Sequence, residues 1–386
     1  MAKTKTDKIS IKDFKREQAK KVKAEKRKAL KDREYYSLRS ILGYFNWAIF
    51  YFLLGGREAG KSYAVTSFFV KQFIEEGIPF YWLRLSESSA RKLLSNNAEK
   101  LIDPDIRRKY NLNLITNGNT VYNRVEVSRR TITKGKRAGE VEIKYKNIPM
   151  AYVYSLATFY NDKGSGLYDK DFLKNPNMKY NICLDEMNRE KGERKSFDIV
   201  YSFANQLENL IRSTKEKIRV ICIGNTLEEA SDLLSSLNFI PEEFGRYKLK
   251  SKRAVIDYIE PSEAYLNRRK GTVADILSGN SSTFTNMIET DKTLIYKGKL
   301  EKPVFVIKFS KDKSDWFTLW DNNCITKYNG ENKPVIAMKP YLDEKFITQV
   351  RDNVIVNFDM RNYLYRNLIT FKLFQKHINL LKPRGN

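Results

Sequence analysis

Phe52-Leu53-Leu54-Gly55-Gly56-Arg57-Glu58-Ala59-Gly60-Lys61-Ser62 is an apolar run that enters Gly-x-x-x-x-Gly-Lys-Ser without a break, and Tyr63 to Val70 continues it with a helical composition. Strand, glycine-rich loop and helix, in that order, is the setting in which this pattern has a phosphate-binding mechanism. Gly55 and Gly60 permit backbone angles that a side chain forbids, so successive N–H groups can turn to one side. The helix start adds its own free N–H groups and its dipole. In this Walker A reading Gly55, Gly56, Arg57, Glu58, Ala59, Gly60, Lys61 and Ser62 cradle the phosphates of ATP. Lys61 reaches the β- and γ-phosphates, and the Ser62 hydroxyl is a ligand for Mg²⁺. The plain alternative is a glycine-rich turn that happens to precede Lys-Ser; the flanking strand and helix argue against it.

Outward from this stretch, Ser37 to Trp47 reads as a short helix or loop leading into the strand. Gly77-Ile78-Pro79 stops the helix, and Phe80 to Leu85 reads as a second strand. Ser86 to Lys100 has the pattern of a helix, with Ser86 as its N-cap and Glu87 in the first turn. Short β segments follow over Val121 to Val127, Glu140 to Lys146 and Ala151 to Leu156, and Asn161 to Asn177 is loop-rich. The basic turn Arg129 to Arg137 between them suits phosphate contact and an exposed hairpin tip equally. Lys179 to Leu184 is a strand that ends on Asp185-Glu186, Ser196 to Arg212 reads as a helix, and Ile218 to Ile223 is a strand that ends on Gly224-Asn225-Thr226. This alternation predicts an α/β unit with a parallel sheet. Beyond it, residues 303–309, 316–320 and 324–328 read as antiparallel strands, with helices between Asp343 and Leu381.

Asp185-Glu186 after an apolar strand has the form of a Walker B site. There Asp185 holds Mg²⁺ through water beside Ser62, and Glu186 polarises the water that attacks the γ-phosphate. Two acids at a helix start would also suit the helix dipole. Arg212 ends a helix just before a core strand, where it could serve as an arginine finger acting on a neighbouring subunit. Lys215, Lys217 and Arg219 lie close to it, so position alone does not choose among them. Asn225, at the end of a core strand, is placed to sense the γ-phosphate; Gly-Asn is also ordinary turn chemistry. Arg57, inside the loop, is a further candidate contact for phosphate or for an adjoining subunit.

Composition narrows the class. The net charge of +25 over 386 residues favours a polyanionic partner, nucleic acid before an anionic membrane surface. No apolar run is long enough to span a bilayer. With three cysteines, two of them (Cys183 and Cys222) inside strand-like runs, the chain reads as the product of a reducing cytoplasm. A single histidine, His377, excludes His-rich zinc sites and reads as a helix-surface or packing residue. Chemistry here therefore rests on carboxylates, Lys, Arg and a metal. Residues 1–34 form a Lys-rich arm with almost no large apolar side chains, disordered or a solvated helix.

The elements resemble, in order, the DNA-packaging motor ATPases of tailed bacteriophages, the large-terminase group, and among them the packaging ATPases of phi29-like phages. The residues that carry the resemblance are 55–62, Phe-Tyr-Trp-Leu-Arg at 80–84, Asn-Ile-Cys-Leu-Asp-Glu at 181–186, Leu-Ile-Arg at 210–212, Arg-Val-Ile-Cys-Ile-Gly-Asn at 219–225, Asn-Phe-Asp-Met-Arg-Asn at 357–362 and Arg-Asn-Leu at 366–368. The resemblance implies a P-loop NTPase with an ASCE/RecA-like parallel sheet over residues 35–250, a linker over 251–290, and an α+β RNase H-like, nuclease-type domain over 291–386. It puts Arg212 on the family's arginine finger. It implies a viral protein that translocates double-stranded DNA into a procapsid from the host cytoplasm, as a homo-oligomeric ring, commonly a pentamer, at the portal. A structural RNA joins the motor in phi29-like phages, which makes RNA a second partner. Terminases hold two metals on clustered carboxylates to cut DNA. Asp312, Asp315 and Asp321 do not form such a strand-by-strand set, so a DNA-binding domain without nuclease activity is expected. A helicase-like motor, a P-loop nucleotide kinase or a GTPase are the alternatives, although no Asn-Lys-x-Asp guanine-reading motif is evident.

Overall fold

The computed structural model describes residues 34–133, 140–157, 179–188, 198–211, 218–225, 231–278 and 292–381. The basic arm before Glu34, the hairpin tip at 134–139, the 161–177 segment, Arg212, Lys215 and Lys217 lie outside the described residues. Fourteen strands are labelled β1 (Phe50–Leu54), β2 (Phe80–Arg84), β3 (Leu114–Asn117), β4 (Thr120–Thr131), β5 (Val141–Ser155), β6 (Tyr180–Asp185), β7 (Ile218–Gly224), β8 (Gly245–Leu249), β9 (Ala254–Tyr258), β10 (Pro303–Lys308), β11 (Trp316–Trp320), β12 (Cys324–Lys327), β13 (Val335–Ala337) and β14 (Leu364–Tyr365).

The chain divides into two compact units, one of residues 1–186, 206–226 and 244–287, the other of 187–205, 227–243 and 288–386. This corrects the boundaries expected from sequence. Within the expected linker, Ala254–Tyr258 is a fully buried strand paired in parallel with β1. A five-residue strand followed by a polar helix was too short for its periodicity to separate it from a connecting segment.

In the first unit the described strands form one sheet in the order β3-β4-β5-β2-β6-β7-β1-β9-β8. Its centre, β5-β2-β6-β7-β1-β9, is parallel throughout. Strands β3 and β4 add antiparallel pairs at one edge, and β8 adds one at the other. Central parallel strands are covered on both faces, which is why β6 and β7 read as continuous apolar runs and not as alternating ones. Every residue of β6 is buried. The helix Lys61–Glu76 turns Val65, Phe69, Val70 and Phe73 inward, with Phe69 5.3 Å from Phe80 and 6.5 Å from Trp82 between ring centroids. Each such fully buried side chain contributes about 1.5–3 kcal/mol of transfer free energy. The helix stops at Gly77, whose left-handed φ of 71° suits the residue read as the stop signal. Ser86 caps the helix Glu87–Ala98 by accepting from the Ser89 N–H. Cys183 and Cys222 are buried, and burial pushes both thiols well above the usual range, as befits small core residues.

In the second unit β10, β11 and β12 form an antiparallel meander, with β13 parallel to β10 and β14 parallel to β12. Phe374, from the helix Leu368–Leu381, packs edge-on against Phe309 and Phe317. His377 is a packing residue: its ring stacks on Phe309 at 4.9 Å, and Nε2 lies 3.3 Å from Asp315 Oδ1. Asp312 accepts from the Ser314 N–H as a cap, Asp315 accepts from Ser310 Oγ at 2.7 Å, and Asp321 is exposed. The first two serve local turns. Among the described residues, no helix is long and apolar enough to cross a membrane.

Candidate nucleotide site

The sheet order positions the site. Strand β7 lies between β1 and β6, so the carboxyl ends of the three strands open side by side. Ligand crevices of open α/β sheets form at such ends. The backbone of the loop after β1 begins with the Gly55 N–H donating to the Gly224 carbonyl at 3.3 Å. Glu58 (φ 63°) and Gly60 (φ 80°) then turn left-handed, and Gly60 starts the helix as its N-cap. Gly60 is needed twice over: besides its φ, a Cβ there would meet the Tyr35 side chain at 3.1–3.2 Å.

Lys61 is buried, and its Nζ donates to the carbonyls of Gly55 at 2.8 Å and Gly56 at 2.6 Å. Burial lowers its pKa to about 8, opposed by the charge of Asp185. Ser62 Oγ donates to Asp185 Oδ1 at 3.2 Å. Asp185 is itself 4% exposed, and burial pushes its carboxyl up against the pull of Arg84. Glu186 holds a left-handed φ of 57°, a conformation that costs a non-glycine residue about 1–3 kcal/mol. Strain of that kind persists where surrounding contacts fix it, commonly at functional sites.

Arg84 supplies one such contact. It ends β2, which pairs with β6, and its guanidinium lies 2.9 Å from Asp185 Oδ2 while also pairing with the Glu186 carboxylate. The sequence shows Arg84 only as a charged residue closing an apolar strand, because the adjacency of β2 and β6 that brings it to the acids is not a local property.

Ser62 and Asp185 are adjacent hard oxygen donors at a helix start, the donor type that Mg²⁺ accepts alongside phosphate and water, so the residues present fit that ion. A cavity of about 170 Å³ lies against Ser62, Thr66, Trp82, Arg84 and Asp185, room for several waters. Asn225 is half-buried and directly follows Gly224, whose carbonyl meets the loop. Arg57 and Glu58 are exposed on the loop, with Ala59 half-buried. The structure thus brings Lys61, Ser62, Asp185 and Glu186 together, and Arg212 lies outside the described residues.

No protein-family model matches the chain. A DNA packaging protein of Bacillus phage phi29 is 23% identical over 288 residues, 74% of this chain and 72% of that protein. Two solved structures share the fold. One is the phi29 viral genome packaging motor assembly, with TM-score 0.57 and 18% identity over 91% of this chain and 100% of that one. The other is the phi28 DNA packaging motor, with TM-score 0.57 and 15% identity over 92% of this chain and 99% of that one. The resemblance to phi29-like packaging proteins read from the motifs is therefore borne out, by a curated relative in sequence and by two packaging motors in fold.

Proposed function

We propose that the chain is an ATPase that drives double-stranded DNA into a viral procapsid. The observation that carries the ATPase reading is the meeting of Ser62 with Asp185 at 3.2 Å beside the buried Lys61. Lys61, now bonded to the Gly55 and Gly56 carbonyls, exchanges those partners for phosphate oxygens. Ser62 and Asp185 would hold Mg²⁺, which would supply neutralisation of phosphate charge. Glu186 orients the attacking water once its carboxylate leaves Arg84, and Asn225 reports the γ-phosphate from the end of β7. Arg212, in this reading, reaches across to the nucleotide of the adjacent subunit in a ring, a pentamer at the portal.

The DNA-packaging half of the proposal rests on the phi29 relative and the charge of +25. A motor that moves along any sequence must hold phosphates and not base edges. We assign the second unit to DNA binding in a nuclease-type domain that does not cut, because Asp312 and Asp315 are engaged in local turns. Packaging RNA is a second partner, and the host cytoplasm is the place of action. The test is ATP turnover with DNA, measured with and without empty procapsids. Turnover stimulated by both supports packaging; stimulation by DNA alone points to a helicase-like motor, and preference for GTP to a GTPase.

A further inference from the structure

The phosphate cradle is held from outside as well as from within. The Tyr265 hydroxyl, on the helix Glu263–Arg269, donates to the Arg57 carbonyl at 2.8 Å. Arg269 donates to the same carbonyl at 3.4 Å and to the Tyr265 oxygen, and it is 4% exposed. Arg268 Nη2 donates to the Glu58 carbonyl at 2.7 Å. The Tyr36 N–H donates to the Ala59 carbonyl at 2.8 Å. Three consecutive loop carbonyls, 57, 58 and 59, thus each have an outer donor. In a trans peptide the C=O and the following N–H point in opposite directions. Fixing those carbonyls outward therefore turns the N–H groups of Glu58, Ala59 and Gly60 toward the side where phosphate binds.

Arg268 is fixed in turn. Its guanidinium lies 4.6 Å over the Tyr35 ring, and Nε is 3.2 Å from the Glu34 carboxylate. Tyr35 is the same side chain that packs under Gly60. None of these donors belongs to the glycine-rich motif.

We propose that Tyr265, Arg268 and Arg269 are positioning residues that pre-organise the phosphate-binding loop for the triphosphate of the nucleotide, an inference that rests on the ATP reading of the site. An empty loop of this kind has to order several backbone amides when phosphate arrives; a clamp that orders them beforehand lowers that cost and raises affinity. The clamp acts on the triphosphate and not on the base, so inorganic tripolyphosphate is the discriminating probe.

The test measures binding of tripolyphosphate and of ATP to the full chain by calorimetry, for wild type, Tyr265→Phe, Arg268→Ala and Arg268→Lys. Tyr265→Phe removes one hydroxyl and with it an acceptor of the buried Arg269, so a lowered ligand-free Tm is expected there, whereas Arg268 is half-buried beside the loop. Loss of one hydrogen bond to the loop is expected to weaken both ligands by about tenfold in a chain still folded at the temperature of the titration. Arg268→Lys, which keeps a donor, is expected to recover affinity. Wild-type affinity in both Tyr265→Phe and Arg268→Ala overturns the clamp, as does a loss seen only in a chain no longer folded at the temperature of the titration. A wild-type chain that binds neither ligand overturns the ATP reading itself, which is a separate result.

Discussion

Ser62 and Asp185 lie 123 positions apart in the chain and 3.2 Å apart in the fold, hydroxyl to carboxylate. The contact follows from strand order, since β1 and β6 flank β7 with their carboxyl ends aligned. Replacing Asp185 by Asn keeps the shape and removes the charge that holds a cation. We expect ATP hydrolysis to fall by about 100-fold or more, with metal-free nucleotide binding retained. Chelation of Mg²⁺ from the wild type should reproduce the loss, and turnover assays with and without EDTA check both.

Arg84 pairs with the buried Asp185 and with Glu186 at once. Truncating one partner of a buried pair leaves the other charge uncompensated, at about 3–5 kcal/mol. Arg84→Ala should therefore lower thermal stability clearly. Arg84→Lys keeps a charge but loses the fork that spans two carboxylates. It should recover most of the stability while leaving hydrolysis altered, and melting curves beside turnover rates separate the two effects.

Glu186 is half exposed, strained in φ, and tied to Arg84. In its proposed role of orienting the water, Glu186→Gln should retain ATP binding. Hydrolysis should drop by about 10²–10⁴-fold, the range for removal of a general base. Single-turnover rates near those of wild type would remove Glu186 from the mechanism.

The pKa of Lys61, lowered to about 8 in the ligand-free fold, gives a pH signature. Between about 8 and its ordinary value of 10.5 the unfolded chain holds the proton more tightly than the folded one, so this group makes stability rise with pH across that window. Phosphate binding needs the charged form, so ATP affinity should fall across the same window. Lys61→Arg keeps its charge throughout and should lose both trends, whereas Lys61→Ala should abolish turnover. Binding isotherms and melting curves between pH 7 and 10.5 test the opposed signs.

Arg212, placed by resemblance at an intersubunit position, predicts complementation. Arg212→Ala should be inactive alone. Mixed with Lys61→Ala it should regain part of the turnover, because a mixed ring contains junctions with an intact loop on one side and an intact finger on the other. A mixture as inactive as its components would restrict Arg212 to its own subunit.

The glycine-rich loop was legible because its conformation is local. Gly55 to Ser62 are contiguous, and the conformations they need are written in glycine positions and in the strand and helix on either side. Asp185-Glu186 was legible for the same reason, as the end of an apolar strand whose residues are buried on both faces. Arg84, Tyr265, Arg268 and Arg269 were not, because their roles depend on which strands and helices become neighbours. The helix Glu263–Arg269 follows β9, a strand read as linker, and becomes relevant only when β9 pairs with β1 and carries that helix to the loop.

The sequence by itself therefore determined the glycine-rich loop between strand and helix, the paired acids and the basic character of the chain, since each is a property of adjacent residues or of composition. Tertiary structure alone decided that Ser62 meets Asp185, that Arg84 holds both acids, and that the loop carbonyls are gripped from outside. Those contacts arise from strand order and packing across more than a hundred residues, which no local pattern encodes.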